Sequence, residues 1–163
     1  MEEGTLHVGE LTFVAGRQGY NNQPAFSSDG RGIYYVWRPD DSQADIWYHD
    51  LESGMERPLT CTPQEEYSPS PMPGGLAISV VRVDDLSRRR LWRIPLDGGA
   101  PAALFPNITS VAYHAWVDTH DVFLYLTVPE QGQKNMLAIG RLPSGCPTCC
   151  SQCRTGDLQG SEL

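Results

Sequence analysis

FSSDGRGIYY, residues 26–35, joins an apolar strand end to an Asp-Gly turn and then to a second strand rich in aromatic residues. This is a hairpin signature, because Gly30 supplies the positive φ that a tight turn between antiparallel strands requires. The pattern recurs about 45 residues apart. Phe26 is followed by Pro71 and Trp116, Ile33 by Ile78 and Phe123, and Tyr35 by Val80 and Tyr125. Leu51 is answered by Leu96 and, one residue out of phase, by Leu142, while Gly54 is answered by Gly99 and Gly145. A fixed period in the 40s, each unit built of short strands, predicts an all-β chain of propeller blades.

Working outward, three four-stranded repeats are expected, at about 22–62, 66–106 and 111–145. In the first, strands are expected at 24–27, 33–37, 46–50 and 57–60. In the second they are expected at 70–72, 76–82, 91–94 and 102–105. The segments IYYVW and DIWYHDL are apolar on both strand faces, as befits middle strands sandwiched between neighbouring blades. In the third repeat YHAW, VFLYLTV and MLAIGRL supply three strands, its turn at 118–121 lacks Gly, and a fourth strand is missing. A helical reading fails because Pro and Gly interrupt every window. Ahead of the repeats, TLHVGELTFVA (5–15) reads as one or two further strands, belonging to an adjacent blade. The tail at 146–163 has no period and is expected to be disordered.

The totals narrow the function classes. The 163 residues suit one domain, and 12 basic against 20 acidic residues give a formal charge of -8. That balance argues against duplex nucleic acid, whose binding is dominated by Lys and Arg on phosphates. No apolar run approaches the ~20 residues needed to cross a bilayer, and MEEGTLHVGE is not a secretory signal. Taken as complete, the chain is expected in the cytoplasm.

No catalytic motif is present: neither G-x-S-x-G, H-E-x-x-H, a phosphate-binding G-x-x-x-x-G-K-[ST] nor G-x-G-x-x-G. No cofactor is expected. Cys146, Cys149, Cys150 and Cys153 form C-x-x-C-C-x-x-C, four thiols that suggest zinc. Their pairs lack the long separation of a zinc ribbon, so an oxidation-prone tail is the reading preferred over a small metal-binding module. His114, Asp118, His120 and Asp121 cluster near one hairpin, and Asp40, Asp41 and Asp45 in one loop; polar turns are the default for both. Arg88, Arg89 and Arg90 are read as a solvated loop.

NNQPAFSSDGRGIYYVW followed by DIWYHDLESGMERPLT resembles the repeat of TolB-like propellers, within the broader WD-like class. The match rests on Pro24, Phe26, Ser27, Asp29, Gly30, Ile33, Tyr35, Asp45, Ile46, Trp47, Leu59 and Thr60, and loosens through the second and third repeats. The resemblance implies a periplasmic, non-catalytic scaffold that binds a protein or peptide. Similar propellers also gate prolyl-oligopeptidase-like serine hydrolases, which stands as the alternative.

Propellers bind through the loops at one face. The expected candidates there are Tyr20, Asn22, Arg38, Tyr67, Arg82, Tyr113 and His114, with Tyr20, Tyr67 and Tyr113 on nearly equivalent positions of three entry loops. Tyr beside Arg is the composition of interaction hot spots, though tyrosines also pack over blade ends. Three blades cannot close a ring, since propellers have about four to eight. Either two chains complete six blades, the LTFV strand of one serving the third blade of the other, or the sequence is part of a longer propeller.

Overall fold

The computed structural model describes residues 9–40, 42–127 and 134–143. Eleven strands fall into three antiparallel sheets, each in sequence order, with no helix among the described residues. The first sheet holds β1 (Tyr20–Phe26), β2 (Gly32–Arg38), β3 (Asp45–Asp50) and β4 (Glu56–Pro58). The second holds β5 (Glu65–Pro71), β6 (Ala77–Val83), β7 (Arg89–Pro95) and β8 (Ala102–Ala103). The third has β9 (Val111–Trp116), β10 (Asp121–Leu126) and β11 (Met136–Arg141).

The turns form for local reasons. In the first, the Asp29 carboxylate accepts from Ser27 Oγ at 2.6 Å and from the Arg31 amide at 3.0 Å, while Gly30 takes φ +70°. Those bonds, the Ser27 hydroxyl first, hold the Asp29 carboxyl below its ordinary value. In the glycine-free third turn Asp118 does the equivalent work, accepting from the amides of His120 and Asp121 at 2.7 and 2.8 Å.

β1 and β5 start several residues before the expected 24 and 70. Each runs through a bulge, with register shifts between Asn22 and Ala25 and between Tyr67 and Ser70. Gln23 (φ 54°) and Ser68 (φ 50°) are the displaced residues, each directly before a proline. A bulge leaves a residue out of the ladder, so a strand passes a proline there without losing a bond it needs.

The sheets stack face to face. Tyr34, Val36 and Ile46, on what we call the rear face of the first blade, pack on Ile78, Val80 and Ile94 of the second blade's front face. Val81 and Leu91 on the second blade's rear face pack on Val122, Leu124 and Leu126 of the third blade's front face. Fully burying one such side chain contributes about 1.5–3 kcal/mol, so these two joints form the core.

One expectation is corrected. The third repeat is not in phase at β10: Phe26 pairs with Ile33 and Pro71 with Ile78, but Trp116 pairs with Val122. Its turn is one residue shorter, and a one-residue slip moves every side chain to the other face. Val122 and Leu124 therefore take the places of Ile33 and Tyr35, while Phe123 and Tyr125 point to the rear. Of the strand expected within 5–15 for an adjacent blade, 5–8 lie outside the described residues and 9–15 pair with no strand of this chain. Leu11 and Phe13 are 84% and 86% exposed. A strand needs an edge, and the sheet that follows already has its four strands.

Truncating a buried joint residue removes contacts on both blades. Leu124→Ala is expected to cost about 2–5 kcal/mol in urea unfolding. Leu86→Ala, at an exposed site, is expected to stay within about 0.5 kcal/mol.

Candidate binding surface at the channel mouth

The inner strands β1, β5 and β9 lie side by side, and the bulges of β1 and β5 face the same opening. Gln23 Oε1 accepts from the Ser68 amide at 2.8 Å, tying the two bulges together. A cavity of about 190 Å³ lies next to them, lined by Gln23, Tyr67, Val83, Arg89 and Tyr113 among others. Tyr67 donates to Glu65 Oε2 at 3.0 Å, and burial, reinforced by that carboxylate, raises its phenol pKa. The Arg89 guanidinium donates to Thr127 Oγ1, which fixes one cation at the cavity wall. Tyr113 is 57% exposed. The cavity thus offers two phenols, one amide and one cation around an apolar floor, groups suited to peptide backbone and side-chain contacts.

The seven candidates separate into two groups. Tyr67 and Tyr113 line the cavity itself. Tyr20, Asn22 and Arg38 sit at the neighbouring rim, where Asn22 donates to the Tyr20 hydroxyl at 2.8 Å and the Arg38 guanidinium lies 5.4 Å from the Tyr20 ring centroid. Tyr67 and Tyr113 hold one ladder position, opposite Val81 and Tyr125 as Asn22 is opposite Val36, while Tyr20 lies two residues before Asn22.

Arg82 and His114, expected on the loop face, lie inside the joints. Arg82 is on β6 with its Nη2 2.6 Å from Oε1 of the fully buried Glu66, and its guanidinium is 4.6 Å from the Trp92 ring centroid. Thr62 Oγ1 donates to the same carboxylate oxygen at 3.1 Å. A buried carboxylate requires such partners, so this arginine neutralises the interior rather than meeting a ligand. His114 Nε2 is 2.7 Å from Ser79 Oγ, which also accepts from Trp116 Nε1 at 2.9 Å. Burial pushes the His114 imidazole down to about 4, so it is neutral at pH 7. Ser79 is fully buried, which removes this serine–histidine contact from consideration as a nucleophile. The bulged, positive-φ residue Gln23 lines the cavity but was not among the candidates; Gln-Pro beside Ser68-Pro69 one period on was the available signal.

His114 also parts company with Asp118, His120 and Asp121, which form the turn of the third blade. Among the described residues no group of three or more His, Cys, Asp or Glu is placed to hold a metal. Cys146, Cys149, Cys150 and Cys153 lie outside the described residues. A second cavity of about 400 Å³, lined by Asp29, Tyr48, Arg57 and Gly75 among others, opens at the opposite end, between two hairpin turns.

Face-to-face packing of four-stranded antiparallel sheets around adjacent inner strands defines a β-propeller segment. Its fold is TolB-like. The chain is similar to a putative TolB from Agrobacterium tumefaciens, with TM-score 0.67 and 17% identity over 77% of this chain and 47% of that one. It is also similar to TolB from Acinetobacter baumannii, with TM-score 0.62 and 19% identity over 79% of this chain and 32% of that one. A puromycin-hydrolyzing peptidase from Mycobacterium tuberculosis matches less closely, with TM-score 0.51 and 17% identity over 72% and 23%. The chain thus spans less than half the length of each. No family model matches the sequence, and no curated protein does.

His114 gives the joint a pH dependence of known sign. Its folded value lies below the ordinary 6.5, so its contribution is complete above pH 6.5 and is lost as pH falls through about 4. His114→Gln is expected to flatten that part of the stability profile, measured by urea unfolding between pH 7 and 4. Glu66→Ala strands Arg82 in the same interior and is expected to cost about 3–5 kcal/mol at neutral pH.

Proposed function

We propose that the chain is a non-catalytic propeller scaffold that binds a protein or peptide at its channel mouth. The observation that carries this reading is the cavity bounded by Tyr67, Tyr113, Gln23 and Arg89. Exposed aromatic surface, a fixed cation and a backbone bulge converge there. The likeness to TolB structures supports protein partners in general and a periplasmic setting. A second copy of the chain belongs among those partners, meeting it at its end blades rather than at the loop face.

Selection of peptides from a displayed random library on the immobilised chain tests the reading. Enriched peptides are expected to lose about tenfold or more in affinity with Tyr67→Ala or Tyr113→Ala, in the range of a hot spot. Leu96→Ala, at the opposite cavity, is expected to leave them unchanged. Failure to enrich any sequence, or binders indifferent to both tyrosines, would sink it.

A further inference from the structure

The two ends of the stack are the two halves of a joint. On the rear face of the third blade Phe123, Leu137 and Ile139 are 41%, 72% and 60% exposed. Phe123 and Leu137 occupy the blade positions of Tyr34 and Ile46, which are 5% and 0% exposed in the joint between the first and second blades. On the front face of the first blade, Trp47 holds the position of Trp92, since Tyr35 pairs with one and Val80 with the other. Each of these tryptophans carries a guanidinium bound to a glutamate. Arg17 lies 3.7 Å from the Trp47 ring centroid and 2.9 Å from Glu56 Oε2, as Arg82 stacks on Trp92 beside Glu66. The front face of the first blade, where Tyr35 is buried and Arg17 lies over half-buried Trp37 and Trp47, is therefore furnished like a face in a joint.

The segment ahead of β1 fits the same scheme. β4 starts nine residues before β5, and β8 starts nine residues before β9. Residue 11 stands nine residues before β1. Leu11, Thr12 and Phe13 are thus spaced as the outer strand of the blade that precedes the first. Val14 answers Leu59 and Leu104, the half-buried leucines that follow β4 and β8 against the core. Among the described residues the third blade has three strands, with β11 at its edge.

We propose that a second copy of this chain closes the ring. Each copy docks the rear face of its third blade on the front face of the other's first blade, and lends residues 11–13 to the other's β11 as its fourth strand. Two copies give six blades and three would give nine, beyond the usual range of about four to eight. The register follows from the chain itself: Trp47 pairs with Pro58 and Trp92 with Ala103, which sets Phe13 opposite Ala138 and Thr12 opposite Ile139 of the partner. Closure surrounds the opening with blades of both copies, while the cavity itself is lined by one copy. This inference rests on the reading that a second copy is among the chain's partners, and is independent of peptide capture.

Light scattering on the full 163-residue chain is expected to give twice its 18.0 kDa mass. Leu137→Glu with Ile139→Glu is expected to return it to a single-chain mass, with the β-sheet circular dichroism and cooperative unfolding retained. Phe13→Glu, outside every described sheet, is expected to weaken the dimer without altering the fold of a single copy. With the native cysteines replaced by serine, a Thr12→Cys chain mixed with an Ile139→Cys chain is expected to form a disulfide-linked pair. A monomer at all concentrations, an open-ended polymer, or a dimer that resists the glutamates and does not cross-link overturns the proposal. A monomer that still selects peptides counts against the second copy alone; a dimer that selects none counts against the channel-mouth reading alone.

Discussion

The structure depends on rear face meeting front face. A four-stranded sheet of short strands has little interior of its own, and a lone hairpin in water is marginal. What makes each blade stable is the neighbour on either side, through Tyr34, Val36 and Ile46 against Ile78, Val80 and Ile94, and again through Val81 and Leu91 against Val122, Leu124 and Leu126. Middle strands must then be apolar on both faces, which is why β2 and β6 read as nearly continuous apolar runs. The same requirement explains the end blades, whose outward faces keep the residues of a joint.

Polar groups in the joints carry a second constraint. Glu66 is fully buried and held by Arg82 and Thr62, and Ser79 is fully buried beside His114 and Trp116. Leaving either unpaired costs more than a mismatch of two leucines, because a desolvated polar atom has no substitute partner. The apolar residues thus make stacking favourable, and the polar pairs penalise stacking in any other register. Neutral His114 belongs to this logic, since charging it in the joint would place a cation where no carboxylate answers.

Much of this was legible in the sequence, for identifiable reasons. The Asp29-Gly30 turn and the apolar runs either side of it state a hairpin locally, and repetition near 45 residues states a blade. The third repeat misled because its turn is one residue shorter and has no glycine to mark the change, so period matching put Phe123 where Val122 belongs. β1 and β5 were cut short because Pro24 and Pro69 look like strand ends, when the bulges at Gln23 and Ser68 carry the strands past them. Arg82 and His114 were misplaced because a charged or polar residue near a loop looks exposed; the glutamate and serine that hold them are far away in sequence. Tyr67 and Tyr113 stand out in the sequence as aromatic residues near the start of inner strands, and both line the cavity, although Tyr67 also packs against both joints.

That last point separates scaffold from site within this one chain. Positions committed to joints keep their character from blade to blade: Ile33, Ile78 and Val122; Tyr35, Val80 and Leu124. Positions at the channel mouth do not: Asn22, Tyr67 and Tyr113 in the ladder; Gln23, Ser68 and Ala112 out of it. Tyr113 is 57% exposed, so packing does not dictate its size or polarity, and the tie between Gln23 and Ser68 constrains backbone more than side chain. Residues free of the packing rule are where a propeller can differ from its own repeats, and here they gather two phenols, an amide and a guanidinium around one opening. A surface whose composition the fold does not require is where a ligand's chemistry is free to be written.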